Sequence, residues 1–312
     1  MSRKGWLLFI ALCVMWGIPY LLIRVAVREL PPPALVFLRT APAGLLLAPF
    51  AFRGGRLRPL LARWRWVLVY TVIELCVPWL LLAHAEESIS SATAGLLVAT
   101  VPLMGAVIYR AAGVADSFDA RRLAGLVIGF TGVAALVGLD LGGSDPVAVV
   151  EMGVVALCYA CGPLIIIRKL AELEAIGVVT ASLVVTAVLY APAGVATMPT
   201  SLSAATVGSV VVLAVVCTVA AFLAFFALIR EVGPSRSTVV TYVNPLVAVL
   251  LGIAILSEPF TLGIAVGMPL ILVGSVLGTA PSLRPPGGGG AKREESSEKP
   301  PPDALAAGPP AP

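Results

Sequence analysis

The sequence is poor in charge, has a single histidine, and has no cysteine outside an apolar run. Charged residues are 12% of its 312 residues, and hydrophobic residues are 59%. Mean hydropathy is +1.01. A soluble domain is nearer a quarter charged, and a soluble chain this apolar could not cover its own surface with polar groups. One histidine, His84, excludes a multi-histidine metal site. The five cysteines, Cys13, Cys76, Cys158, Cys161 and Cys217, are an odd number and avoid loops, which excludes a disulfide framework. Cys158-x-x-Cys161 reads as two small residues packing within a helix. No His-Glu-x-x-His, no pair of in-span aspartates and no Gly-rich phosphate loop is present, so neither an enzyme nor an ATP-driven pump is expected. No cofactor, metal or nucleic-acid partner is expected either.

What is present is a succession of long apolar runs. A bilayer span needs roughly 20 mostly apolar residues. Ten candidates run from Trp6–Ile23 to Leu262–Thr279, joined by short segments rich in proline and glycine. The chain therefore reads as an all-α polytopic membrane protein with ten transmembrane helices. Lysine and arginine set its orientation. With the N-terminus inside, eighteen of the 21 fall in cytoplasmic segments, two (Arg24 and Arg28) fall outside, and Arg39 lies within a span. Both termini are thus predicted cytoplasmic. The last segment, residues 282–312, has almost nothing apolar to bury and reads as a disordered cytoplasmic tail.

The two halves echo each other. Gly17-Ile18-Pro19 with Arg24 matches Cys161-Gly162-Pro163 with Arg168; Val101-Pro102-Leu103 matches Asn244-Pro245-Leu246; Asp116 matches Glu258; Gly125 and Gly132 match Gly267 and Gly274. Residues 1–139 and 140–281 are read as two five-helix repeats. Five is odd, so the second repeat enters the membrane inverted, a recurring transporter design.

Glu74 is the leading candidate for chemistry. It lies deep in the third span, where a carboxylate is costly unless paired, hydrated or protonated. It could bind a cationic substrate or carry a proton; the alternative is a structural bond between helices. Arg39 could meet a substrate carboxylate, meet Glu74, or snorkel outward. Trp16, Tyr20, Trp79, Tyr159, Tyr242 and Asn244 are candidate cavity walls. Pro19, Pro102, Pro163 and Pro245 are candidate kinks, with Pro102 and Pro245 read as paired bends. Blander readings are expected for three acids: Glu151 as an interfacial acid, Glu258 as a cap on the helix that follows it, and Glu86 with Glu87 as a solvated patch beside His84. Gly125-x-x-x-Gly129 and Gly263-x-x-x-Gly267 permit close helix packing, within the chain or in a homodimer.

Together, Trp16-Gly17…Pro19, Leu38-Arg39, Ala92-x-Ala94-Gly95…Val101-Pro102-Leu103, Leu256-x-Glu258-Pro259 and Gly267…Gly274 resemble the EamA-type branch of the drug/metabolite transporter superfamily. The resemblance covers about residues 5–280. It implies ten helices in paired inverted repeats and carriage of amino acids, metabolites or amphipathic drugs, often as export. The expectation is a secondary transporter in a bacterial cytoplasmic membrane, moving a small molecule with proton coupling by alternating access. The alternative is a non-transporting membrane scaffold or sensor.

Overall fold

The computed structural model describes residues 2–52, 58–113, 120–140, 145–233, 237 and 239–279. Asp116 and the tail 282–312, both singled out in the sequence, lie outside the described residues. No strand occurs among the described residues. Among the described residues, eight helices are long and apolar enough to cross a membrane: α1 (Arg3–Ala26), α2 (Pro32–Phe52), α3 (Trp64–Ala85), α4 (Ser91–Ala111), α5 (Ala120–Leu139), α6 (Pro146–Leu170), α7 (Ala175–Ala196) and α8 (Ala204–Val232). Two shorter apolar helices follow, α9 (Val240–Leu256) and α10 (Leu262–Gly278).

The helix ends follow from local chemistry. Ser2, Ser90 and Ser203 each accept a hydrogen bond from the backbone N–H three residues on, and Asp145 accepts from Val147 N ahead of Pro146. Each satisfies one N–H that a helix start leaves orphaned. At the C-terminal end of α9, Ser257 takes φ +56° and the Glu258 N–H returns to the Gly252 carbonyl at 3.1 Å. Large apolar side chains point outward, with Leu45 73% and Leu250 65% exposed. Such side chains would each cost about 1.5–3 kcal/mol in water relative to burial; lipid removes that cost.

Small residues set the closest approaches. α5 packs along α10, and a Cβ at Gly125 or Gly274 would overlap the backbone of Gly278 or Gly129. A Cβ at Gly132 would lie 2.7 Å from Ile271 N. Gly125, Gly132, Gly267 and Gly274 thus meet neighbours within the chain. α2 packs along α7 through Gly44 and Gly194, and α4 packs along α9.

The helix pairs obey a rule. α3 touches α6 and α7, α4 touches α6, and α1 touches α8 and α9, while α2 touches α8. Advancing each first-half helix by five, and each second-half helix back by five, converts these contacts into one another. The polar clasps follow suit. Glu29, after α1, accepts from Ser203 N at 2.8 Å ahead of α8; Glu172, after α6, accepts from Arg63 at 3.4 Å ahead of α3.

Candidate functional site

Two charged groups lie inside the helix bundle, and proline chemistry positions one of them. Pro78 has no N–H to give the Glu74 carbonyl. The turn below it widens into a π-helix over Val72–Cys76, with Val77 N–H reaching back to Val72 O. π turns of this kind often accompany function. The turn aims Glu74 at Gly162 of α6, where a Cβ would overlap the carboxylate. Glu74 Oε2 is buried without a hydrogen-bond partner among the described residues. Tyr70, Tyr109, Cys158, Tyr159 and Cys161 are within its electrostatic reach. Nearby polar pairs fasten α3 to α7: Thr71 donates to Ser182 at 2.8 Å, and Tyr190 donates to the Cys76 carbonyl at 2.9 Å.

Arg39 of α2 is 9% exposed and does not snorkel. Its guanidinium lies 3.7 Å from the centroid of the Trp79 ring, a cation–π contact. Its Nε donates to Thr218 Oγ1 at 3.1 Å. Thr218 sits in a second π turn, Val215–Ala220 of α8, and donates in turn to Leu213 O at 2.8 Å. Tyr20, Glu86, Tyr159 and Cys217 surround the guanidinium. No ion pair joins Arg39 to Glu74 among the described residues. Tyr159 is within electrostatic reach of both, and Trp79 is within hydrogen-bonding reach of it.

Of the residues singled out in the sequence, Tyr20, Arg39, Trp79 and Tyr159 converge, and Glu74 joins through Tyr159. Trp16 packs on Phe225 and Phe222 of α8, with centroids 4.9 and 6.1 Å away. Tyr242 is half-buried on α9. Asn244, with its amide nitrogen oriented to donate, bonds Val240 O at 2.9 Å and Cys13 O at 3.3 Å. It ties α9 to α1. The prolines are unequal. Pro19 marks the break in α1 and Pro102 follows an interruption in α4 at Ala99–Thr100, whereas Pro245 lies inside the unbroken α9. Thr100 closes the α4 turn by donating to Leu97 O at 2.6 Å. Pro163 lies within α6, just ahead of its π turn Ile166–Leu170.

Three acids sit differently from expectation. Glu258 caps a helix, but not the next one. It accepts from Ser91 N, Ser91 Oγ and Ala92 N at 2.8, 3.0 and 3.1 Å, across the chain at the start of α4. Tertiary packing, not sequence proximity, chose its partner. Glu151 pairs with His84 at 2.9 Å, joining α6 to α3. Glu86 is fully buried, not solvated, because Arg24 reaches over from α1 to bond its carbonyl. Glu87 is the exposed member of that pair. Sequence reasoning missed Thr218, whose one signal was a hydroxyl within the most apolar span.

Among the described residues, no three His, Cys, Asp or Glu are grouped to hold a metal. A separate apolar cavity of about 210 Å³ lies between α4, α5 and α6, lined by Leu97, Met104, Phe130 and Met152. None of the Arg39 or Glu74 neighbours lines it.

The comparisons with known proteins agree with one another. The profile of the EamA-like transporter family matches residues 3–138 and again 149–279. The chain is 30% identical over 255 residues to the uncharacterized inner membrane transporter YedA of Escherichia coli K12, covering 78% of this chain and 79% of YedA. It is 27% identical to the uncharacterized transporter YvbV of Bacillus subtilis over 87% of this chain and 90% of YvbV. One crystal structure, 20% identical, shares the fold at a TM-score of 0.63 over 89% of this chain and 97% of its own. The chain is a multi-pass membrane protein and belongs to the EamA-like transporter family.

Proposed function

We propose that the chain is a secondary carrier of a small zwitterionic or cationic solute, working by alternating access and coupled to proton exchange at Glu74, in the export direction. The observation that carries this reading is a pair of in-span polar groups that do not bond each other: a guanidinium stacked on Trp79 and bonded to Thr218, and a Glu74 carboxyl oxygen with no partner among the described residues, both within electrostatic reach of Tyr159. A structural ion pair would have satisfied both. Arg39 offers a planar donor fork for a substrate carboxylate. Glu74 offers a negative charge to an amine, or binds a proton when the amine leaves. Trp79, Tyr20 and Tyr159 supply walls that exclude water.

The ten apolar helices are read as two inverted repeats, residues 1–139 and 140–281. Support comes from the exchange rule of the helix contacts and from the double match of the family profile. Two such halves rocking about the Arg39–Glu74 layer have inward-open and outward-open forms of similar energy. The arginine and lysine distribution supports cytoplasmic termini, and the membrane is read as a bacterial cytoplasmic membrane. The chain is not expected to be an enzyme, since its in-bundle polar groups lack a nucleophile–base pair.

The test is a thermal-shift screen of purified protein, wild type beside Glu74→Gln and Arg39→Gln, with amino acids, polyamines, sugars, nucleosides and lipophilic cations as probes. A binder raises apparent stability by mass action, by about 2.7 kcal/mol at a hundredfold excess over Kd. A zwitterion that stabilises wild type and neither variant is the expected hit. A sugar or nucleoside hit unchanged in both variants would move the site elsewhere. A screen without hits would favour the scaffold reading.

A further inference from the structure

Two acids hold carboxyl oxygens that are buried without a partner among the described residues, and only one of them, Glu74, belongs to the site above. The other is Glu86. It follows the last turn of α3, is 0% exposed, and leaves both carboxyl oxygens unpartnered. Its surroundings are specific. Tyr20 and Arg24 face it from α1, Arg39 from α2, and Glu258 from the segment after α9. On its own segment Glu87 is exposed, and His84 turns to Glu151 instead. Arg24 bonds the Glu86 backbone carbonyl rather than its carboxyl. Glu258 is already satisfied by the three donors at the start of α4. Glu86 therefore sits buried beside a fixed carboxylate, with no donor committed to it among the described residues.

An ionised carboxylate is not kept in such a place without donors; it takes up a proton. A metal ion is disfavoured by Arg24 and Arg39. We propose that Glu86 is a second proton-binding site of this chain, at the opposite end of the Arg39–Trp79 layer from Glu74, protonated in the conformation described and discharged outward when α1 parts from α3. In that step the Glu86 O–H bond breaks, the proton passes to an outer water, and the carboxylate left behind is compensated by Arg24 and Arg39. Burial, then the Glu258 carboxylate, hold Glu86 well above the usual carboxylate range, against the opposing pull of Arg24 and Arg39. The inference rests on the proton-coupled reading only for its purpose, not for the presence of the proton.

Infrared difference spectra test it without a transported ligand. The carboxylic acid C=O stretch is recorded for reconstituted wild type, Glu86→Gln, Glu86→Asp and Glu74→Gln, in acid and in alkaline buffer. Glu86→Gln should lose one protonated-carboxyl band that Glu74→Gln keeps, and Glu86→Asp should shift that band. In heavy water the band should exchange slowly in wild type. In Arg24→Gln it should exchange about tenfold faster or more, the scale on which losing one charge-assisted hydrogen bond shifts an opening equilibrium. A Glu86→Gln spectrum identical to wild type would overturn the inference, as would a Glu86 band abolished by sodium at constant pH. Should Glu86→Gln fail to fold, an unshifted spectrum in Glu86→Asp overturns it equally. Loss of the Glu74 band with the Glu86 band intact would remove coupling at Glu74 and leave this site standing.

Discussion

At the scale of single residues, the account turns on side chains whose hydrogen-bonding capacity exceeds what the fold uses. Arg39 is stacked, not paired. Replacing it by lysine keeps the charge but loses the planar face on Trp79 and the fixed fork. Arg39→Lys is expected to lower transport at least as much as Trp79→Phe does, about tenfold or more, with surface expression unchanged; uptake or efflux assays in cells would show it. Gly162→Ala should displace Glu74 directly, since the added methyl takes the carboxylate's place. Its pH profile of transport should follow that of Glu74→Gln. A wild-type profile would mean that Glu74 has room to spare. Glu86 gives a pH prediction with a definite sign. An acid whose folded pKa is raised favours folding below its ordinary pKa and disfavours it as pH rises toward the raised value. Glu86→Gln should therefore raise Tm at neutral and alkaline pH and leave it unchanged in acid. Much of this scale was legible in sequence: a lone carboxylate and a lone arginine inside apolar runs announce themselves. Glu86 was not, because a Glu-Glu pair beside a histidine at a span end looks solvated until Arg24 closes over it. Glu258 was half legible: its capping role was, its partner was not, because that partner is set by how α4 meets α9.

At the scale of elements, prolines and glycines decide geometry. The span positions were readable from hydropathy, with ends shifted by a few residues where caps such as Ser90 and Ser203 intervene. The π turns were not readable. Nothing local in Val72–Cys76 demands one beyond Pro78 downstream, and α8 forms one at Val215–Ala220 without a proline. The glycine contacts between α5 and α10 carry a stability prediction. Gly274→Ala forces a methyl into the Gly129 backbone and should cost about 1–3 kcal/mol. Gly138→Ala in α5 meets nothing within 4 Å and should be neutral or stabilising by up to about 1 kcal/mol. Thermal unfolding in detergent separates the two. Equal effects would mean that α5 and α10 do not approach as described.

At the scale of the whole molecule, alternating access requires the two halves to exchange roles across the membrane. The contact exchange rule and the matched clasps at Glu29–Ser203 and Arg63–Glu172 are what an inverted repeat would produce. The sequence echo that suggests it lies mainly in helix-end prolines and packing glycines, whose backbone geometry and close contacts other side chains do not reproduce. The topology is tested by placing cysteines at position 87 and position 230. A membrane-impermeant maleimide should label the first in intact cells and the second only after permeabilisation.

The most direct measurement is proton movement in proteoliposomes loaded with a pH-sensitive dye and supplied with the zwitterion that the stability screen identifies. A gradient of that solute should drive a pH change in wild type, Glu74→Gln should abolish the pH change, and Arg39→Gln should abolish solute movement itself. Solute-driven pH change of wild-type size in Glu74→Gln would contradict the central claim.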